Sequence, residues 1–583
     1  MFKVLKVFYS FVFKKKLIFI GFLFLVIISN ILFSLNPIFY KQFVETIPSL
    51  NESILFKILI LYMVVRISAV LTDILTFWIG DYILFQSSID ARVTVFKKVQ
   101  DLDFAFHSEK STGSLISAFK RGDSAFFSFF HDIHHKMLGV LTSFVVMLYF
   151  FASLNIYIVV LAFTSLIVTL IVTRFLVENN VNKRKYFNRE EDEISGIITD
   201  NLINFETVKL FAKENLEENR LKNSFVPWLK SLWGFGNSFR LIDATMGLII
   251  NLSIFTILYL TIQQTTILKL TVGDFVLITG FLSNFYPKLW DLVWGTRDLA
   301  KNYADIEKYF DLLAHETEIK DPKNPIKISH LKGNISFNNV SHSYKDGTEN
   351  AIRNLELKIK SGESIAFVGK SGSGKTTITK LLMRFFDPTL GNIKIDKINI
   401  KNFKKSTLRG FFGVVPQEPV LFNNTIGYNI SYGASQGDTL QSQGFTLTRA
   451  KEAAKLANIS DFIESLPQKY DTNVGERGIK LSGGQKQRLA IARMIMSNPD
   501  IIIFDEATSH LDSESEKLIQ DAFWKYAKNK TTIIIAHRLS TISKADKIVV
   551  MDKGQIIEIG THEDLLNNRL GIYSKLWNIQ RRN

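Results

Sequence analysis

The feature that most constrains this chain is Met137–Thr173, a run with no Lys, Arg, Asp or Glu. At a rise of ~1.5 Å per residue it is too long for one crossing of a ~30 Å hydrocarbon layer. A turn near Ser153-Leu154-Asn155 divides it into two helices, and the first can extend upstream through Phe126–Phe130. Leu17–Leu35 and Ala244–Leu268 are also uncharged. Ile54–Phe85 is apolar but carries Lys57, Arg66, Asp73 and Asp81; Val272–Gly295 carries Asp274, Lys288 and Asp291, with Pro287 inside it. The reading is six membrane spans, at about 17–37, 54–85, 126–153, 156–177, 244–268 and 272–295. Lys14-Lys15-Lys16 precedes the first run as in a signal peptide. That run is longer than a signal h-region and no small-x-small site follows, so an uncleaved helix is expected.

The formal net charge of +15 invites a nucleic-acid partner, but its distribution argues for a membrane. Residues 1–16 carry Lys3, Lys6, Lys14, Lys15 and Lys16 and no acid, and the loops after spans two and four are rich in Lys and Arg. The loops after spans one, three and five are short or nearly free of them. The positive-inside bias puts both termini in the cytoplasm. Most of the first-half charge is thereby explained, the lipid bilayer is the expected partner, and no nucleic acid is expected. The absence of Cys excludes disulfides, thiolate zinc sites, cysteine-ligated iron–sulfur clusters and a thiol nucleophile. In the long cytoplasmic loops, about 86–135 and 178–240, Arg92–Leu102 and Arg189–Phe211 have helix-like apolar spacing and read as helices continuing out of the membrane. Lys320–Leu331, with Pro322 and Pro325, reads as a linker.

From Gly333 short β-branched strands alternate with helices. The buried strand Ser364–Val368 runs into Gly369-Lys370-Ser371-Gly372-Ser373-Gly374-Lys375-Thr376, and a helix follows from Thr377. This is GxxxxGK[ST] in a strand–loop–helix setting, the pattern of a phosphate loop. Glycines let backbone N–H groups wrap phosphates, and the helix N-terminus adds positive dipole. Lys375 is placed to reach the β/γ-phosphates, and the Thr376 hydroxyl suits Mg²⁺. A second apolar strand, Ile501–Phe504, ends in Asp505-Glu506, two carboxylates where open α/β sheets bind ligands. Asp505 would hold Mg²⁺, and Glu506 would orient or deprotonate the attacking water.

Leu481-Ser482-Gly483-Gly484-Gln485 is LSGGQ, and with it this half closely resembles the ATP-binding cassette ATPases. The resemblance implies ATP and Mg²⁺ as cofactors and further roles in chain order. Tyr344 resembles the aromatic that stacks on adenine, and Gln417 the glutamine that contacts Mg²⁺ and water. Asp512 matches the aspartate loop after the second carboxylate, and His537 the histidine at the γ-phosphate. His510 stands where the family usually has Ala. Thr472–Gly478 resembles an exporter segment that touches the cytoplasmic loops. Six spans followed by a cassette resemble the exporter half-transporters. The fold class implied is multidomain: an all-α polytopic membrane domain (1–319), a linker (320–332) and an α/β P-loop ATPase domain (333–583).

In this family LSGGQ of one cassette faces the phosphate loop of another, so the resemblance implies dimerisation. The chain carries every catalytic part, which favours a second copy of itself over a related half-transporter. The resemblance further implies an integral protein of the cell (inner) membrane, with termini and ATPase cytoplasmic, that exports an unknown solute. Asn204–Lys209, Tyr428–Gly433 and Phe504–Thr508 are similar to mitochondrial-type exporters linked to iron–sulfur and thiol metabolism and heavy-metal tolerance. Asp243 and Met246 depart from that branch, as does the long stretch Ala434–Thr448, and the substrate stays open. An ATP-gated channel or membrane-tethered regulator is the alternative, and a soluble DNA-repair-type cassette ATPase is opposed by the spans.

Arg66 and Asp73 are seven apart and share a helix face. They read either as lining a polar translocation cavity or as a structural pair or helix end. His131, His134 and His135 read as solvated histidines at the foot of span three rather than a metal site, because only Asp132 is an adjacent further ligand. Phe126, Phe127, Phe129 and Phe130 read as lipid-facing or packing residues.

Overall fold

The computed structural model describes residues 2–110, 112–267, 269–344, 350–434, 443–475, 478–505, 513–535 and 539–582 of the chain. They form two compact units, Met1–Leu102 with Glu109–Glu316 and Asp103–Ser108 with Thr317–Asn583.

The first unit is helical: α1 (Phe2–Val12), α2 (Lys16–Ser34), α3 (Asn36–Thr46), α4 (Glu52–Asp101), α6 (Thr112–His131), α7 (Leu138–Leu154), α8 (Ile156–Ile203), α9 (Phe205–Leu210), α10 (Glu214–Thr266) and α11 (Val272–Ala314), with α5 (Phe104–Glu109) lying almost wholly in the second unit. Local chemistry sets the breaks. Pro37 begins α3, Asn51 caps α4 by accepting from Ile54 N at 3.2 Å, and a Thr271/Asp274 capping box opens α11. The uncharged run is cut at Asn155, whose backbone is extended and whose side chain caps α8 by accepting from Tyr157 N at 2.8 Å.

Among the described residues, five helical segments are long and apolar enough to cross a membrane: Lys3–Ser49, Glu52–Asp101, Leu115–Leu154, Ile156–Ile203 and Glu214–Thr266. The sixth stretch, with its three charges and Pro287, forms the first part of the 43-residue α11 and is not one of these five. Helices α4, α8 and α10, of 50, 48 and 53 residues, exceed the ~20 that span a bilayer. The polar end of α4 is the extension read from Arg92–Leu102, whereas the one read from Arg189–Phe211 is broken at Asn204 into the end of α8 and the separate α9. Helices α8 and α10 pair through Asn180 Nδ2, which donates to Ser238 Oγ at 2.8 Å, and through Phe187 stacked on Phe235 at 5.6 Å.

The histidine expectation is corrected. Asp132–Met137 forms a π turn that rotates His134 and Asp132 inward, where both are buried. His134 engages Tyr9 Oη at 3.2 Å and Phe130 O at 2.8 Å, while His135 stacks flat on Phe77 at 4.6 Å. Asp132 pairs with Lys136 at 2.7 Å and accepts from Asn302 at 3.1 Å. No metal-holding group occurs among the described residues. His134 is therefore buried among aromatic rings, whereas His131 and His135 are only half-buried, and Phe126, Phe129 and Phe130 are buried packing residues. Arg66 and Asp73 do not pair with each other. Both meet α2, Arg66 over the Phe33 ring at 5.1 Å and Asp73 accepting from Ser29 Oγ at 3.2 Å.

The second unit holds two sheets. The strands are β1 (Ile335–His342), β2 (Ile352–Ile359), β3 (Ser364–Val368), β4 (Leu390–Ile395), β5 (Ile398–Asn399), β6 (Phe412–Val415), β7 (Ile501–Asp505), β8 (Thr531–Ile535), β9 (Lys547–Asp552) and β10 (Gln555–Gly560). An antiparallel sheet runs β2-β1-β4-β5, and a larger one runs β10-β9-β3-β8-β7-β6 with only β10 antiparallel. The continuous apolar runs of β3, β7 and β8 follow from burial on both faces of a parallel sheet. Two apolar cores flank it.

The linker is not a free tether. Lys405 Nζ donates to Ile319 O at 2.7 Å, Arg384 to Lys320 O at 3.1 Å, Ile326 N to Asn402 O at 3.0 Å, and Leu331 N to Asp500 at 2.8 Å. Its end is clamped by Asp396, whose carboxylate accepts from the backbone N–H groups of Lys332, Gly333 and Asn334.

Candidate nucleotide site

β3 lies between β9 and β8, and β7 lies on the far side of β8. Their carboxyl ends therefore open at one edge, with Asp505 level with Ile535 in the ladder. At that edge β3 passes into Gly369–Gly374 and then the helix Lys375–Leu382. Two glycines are obligatory. A Cβ at Gly369 would sit 2.2 Å from Met551 O, and one at Gly374, with φ +103°, would sit 2.7 Å from Ala351 O. Gly372 also has positive φ, but faces open space, as a loop that admits a ligand requires.

Lys375 is buried and curls back beneath the loop, donating to Gly369 O at 2.8 Å and Lys370 O at 3.0 Å. The loop thus holds an ammonium in place against its own carbonyls. Ser373 Oγ is buried and without a hydrogen-bond partner among the described residues. Lys370, Ser371 and Gly372 are on the outer rim, and Thr376 is exposed on the first helical turn while Thr377 is buried. The orphaned hydroxyl, the open glycine and the helix N-terminus fit a phosphate chain.

Tyr344 is tied to this loop's helix, its hydroxyl 3.1 Å from Thr377 Oγ1. Its ring meets Phe386 and His342 edge-on, at 5.2 Å each. Burial lowers the His342 pKa below the usual imidazole range, so at neutral pH the ring is uncharged beside Tyr344.

Leu481–Gln485 opens the helix Gly483–Met496 through a capping box: Ser482 N donates to Gln485 Oε1 at 2.9 Å, and Gln485 N to Ser482 Oγ at 3.4 Å. Ser482 and Gly483 are exposed, Gly484 is buried and Gln485 half-buried. The helix N-terminus therefore faces outward. Gln417 is exposed after β6, and its carbonyl accepts from Gln487 Nε2 at 2.6 Å. Nothing in the sequence singles out Gln487. It lies two residues past the motif that carries the resemblance, and only the fold brings it to Gln417. Asp505 is half-buried at the end of β7. Glu506, His510, Asp512 and His537 lie outside the described residues, as do Glu476, Arg477 and residues 435–442 of the long stretch.

Phe104, at the start of α5, likewise carries no signal in the sequence. It sits against Phe385 at 5.1 Å and Phe386 at 6.1 Å, with Lys380 Nζ 5.2 Å from its ring. α5 thus lies beside the helix that follows the phosphate loop, where Phe385 and Phe386 offer an aromatic socket.

Comparison with known proteins agrees with this geometry. An ABC transporter family profile matches residues 352–509, and an ABC transporter transmembrane region profile matches residues 18–286. The ATM1-type heavy metal exporter of Novosphingobium aromaticivorans is 34% identical over 93% of this chain and 88% of its own length. Heavy metal tolerance factor 1 of Caenorhabditis elegans is 37% identical over 84% of this chain, and ATP-binding cassette sub-family B member 6 of Mus musculus is 38% identical over 85%. This chain spans 60% and 58% of those two longer relatives. A solved bacterial Atm1-family ABC exporter with ATP bound matches 97% of this chain and 98% of its own, with a TM-score of 0.85 and 33% identity. An ABC transporter transmembrane region followed by an ABC transporter ATPase domain, in the company of Atm1-type exporters, places the chain in the ABC transporter family.

Proposed function

We propose that two copies of this chain form an exporter that couples ATP hydrolysis to outward movement of a solute. The observation that carries this reading is the preorganised loop Gly369–Thr376, with the buried Lys375 ammonium held at the same sheet edge as Asp505. ATP would lie with its phosphates against Gly369, Lys370, Ser371, Gly372, Ser373, Gly374 and Lys375, and its base against Tyr344. Thr376, Gln417 and Asp505 would hold Mg²⁺, which when bound neutralises charge on the β- and γ-phosphates. Glu506 orients and deprotonates water, His537 contacts the γ-phosphate, and Asp512 joins the two sites. These three roles rest on the resemblance.

The outward-facing Ser482 and Gly483 support a site completed by a second copy, because a capped helix N-terminus binds phosphate best when its N–H groups are unobstructed. A homodimer is the simplest closed arrangement. The sixth span would be the first part of α11, and the positive-inside bias supports an integral protein of the cell membrane with both termini and the ATPase on the cytoplasmic side. Two relatives carry heavy metals in their names, so metal–thiol conjugates head the panel of solutes to test.

The test is transport by the purified chain in sealed vesicles with the ATPase outside. ATP should drive uptake of at least one thiol, lipid or dye from the panel and that solute should stimulate hydrolysis. Nucleotide-dependent conductance without uphill uptake would instead establish the channel reading.

A further inference from the structure

The amino-terminal helix presents a basic stripe that the nucleotide site and the translocation reading do not use. Val4, Phe8, Phe11 and Val12 of α1 are buried, with Phe8 against Phe126 at 4.7 Å and Phe129 at 5.1 Å. The opposite side carries Lys3, Lys6, Ser10 and Phe13, all exposed at helical spacing. Lys16 is exposed at the start of α2, and below it the same helix exposes Leu17 (86%), Ile20 and Phe24. Positive charge thus gives way to apolar surface within one turn.

Aromatic residues mark the same depth on the neighbouring helix. Lys15 Nζ donates to Tyr82 Oη at 2.5 Å and lies 4.1 Å from that ring's centre. One turn along α4, Trp78 is 74% exposed. Exposed Trp and Tyr at a charged-to-apolar border are the signature of a membrane interface. Lys14 is neutralised by Asp90 at 2.8 Å, whereas Lys3, Lys6 and Lys16 carry no ion pair among the described residues. Basic residues on an amphipathic helix beside a span attract anionic headgroups.

We infer that Lys3, Lys6 and Lys16 form a docking surface for the phosphate of an anionic phospholipid in the cytoplasmic leaflet, with Trp78, Tyr82 and Phe13 at its glycerol level. The inference rests on the membrane reading of α2 and α4. It makes α1 a lipid-anchored strut against the buried packing of Phe126, Phe129 and Phe130.

The test uses the full chain in nanodiscs of phosphatidylcholine, alone or mixed with phosphatidylglycerol, with retained lipids counted by native mass spectrometry. The wild type should retain phosphatidylglycerol preferentially, and salt should weaken the preference. Each lysine lost should weaken retention roughly fivefold, so Lys3→Gln/Lys6→Gln/Lys16→Gln should lower it by about two orders of magnitude. The same positions changed to Arg should retain it, and Lys222→Gln/Lys230→Gln, on the polar end of α10, should not matter. No preference in the wild type, or an unchanged preference in the Gln triple, overturns the inference. Displacement by inorganic phosphate alone would identify a free-anion site and overturn the lipid assignment. A chain that never enters a nanodisc rejects the membrane reading instead.

Discussion

Two short helices lie at the ends of the long helical extensions, and they are finished differently. α5 begins with Phe104 seated between Phe385 and Phe386, under Lys380, and Asp103 accepts from Ile319 N at 3.3 Å. α9 has no such seat. Phe205 and Leu210 are 64% and 76% exposed, with Ile203 and Phe211 equally bare. Both are six-residue helices. A bare apolar cluster on a polar extension costs solubility unless something covers it. The cassette exposes matching surface at Val420, Phe422, Tyr432 and Ile479. The difference is that Phe104, 39% exposed, has aromatic neighbours within its own unit, whereas the apolar residues of α9 are bare; under the dimer proposed above, a second copy would cover them.

If that comparison holds, hydrolysis needs two chains, and the largest effect should come from the residue that acts on water between them. Glu506→Gln should leave ATP binding intact and cut hydrolysis by ~10²–10⁴-fold. The dimer should persist with ATP trapped, as size-exclusion with labelled nucleotide would record. Near-normal turnover would remove Glu506 from its role. Lys375→Ala should weaken ATP binding and turnover together, because a buried, loop-held ammonium is lost from the phosphates. Unchanged affinity and turnover would reject the phosphate-loop assignment.

The next changes address the two helices directly. Leu210→Ser with Phe211→Ser removes the apolar cluster of α9, worth ~1.5–3 kcal/mol per side chain when buried. Solute-stimulated ATPase should fall at least tenfold while nucleotide binding and thermal stability of the separate chain stay unchanged. If stability falls instead, α9 is covered within its own chain. Phe104→Ala should do the reverse and least: it loses an aromatic contact worth ~0.5–1.5 kcal/mol, lowering the melting temperature of the chain at any concentration.

The chemistry was legible in the sequence where short-range pattern carries it. GxxxxGK[ST] after Ser364–Val368 specifies strand, loop and helix locally, and Asn155 marks the break in the uncharged run through its own cap. What escaped depends on partners distant in sequence. Nothing near His134 announces that a π turn will rotate it into an aromatic core beside Tyr9, so it read as solvated. Pro322 and Pro325 mark an irregular segment but not the donors, Lys405 and Arg384, that pin it to the cassette. Gln487 and Phe104 are ordinary helix residues until the fold supplies Gln417 and Phe385.

The most direct test of a site and a coupling surface built by two chains is crosslinking between cysteines, for which this Cys-free chain is suited. Leu210→Cys is combined with Cys at Thr472, Asn473 or Ile479 on a differently tagged copy, and the mixed dimer is oxidised in the presence of ATP. A disulfide requires Cα atoms within ~7 Å, so positive pairs locate the helix closely. The account predicts a disulfide that joins the two tags at one or more of these positions. Bridges formed only within a chain, or none across all three positions, would contradict it.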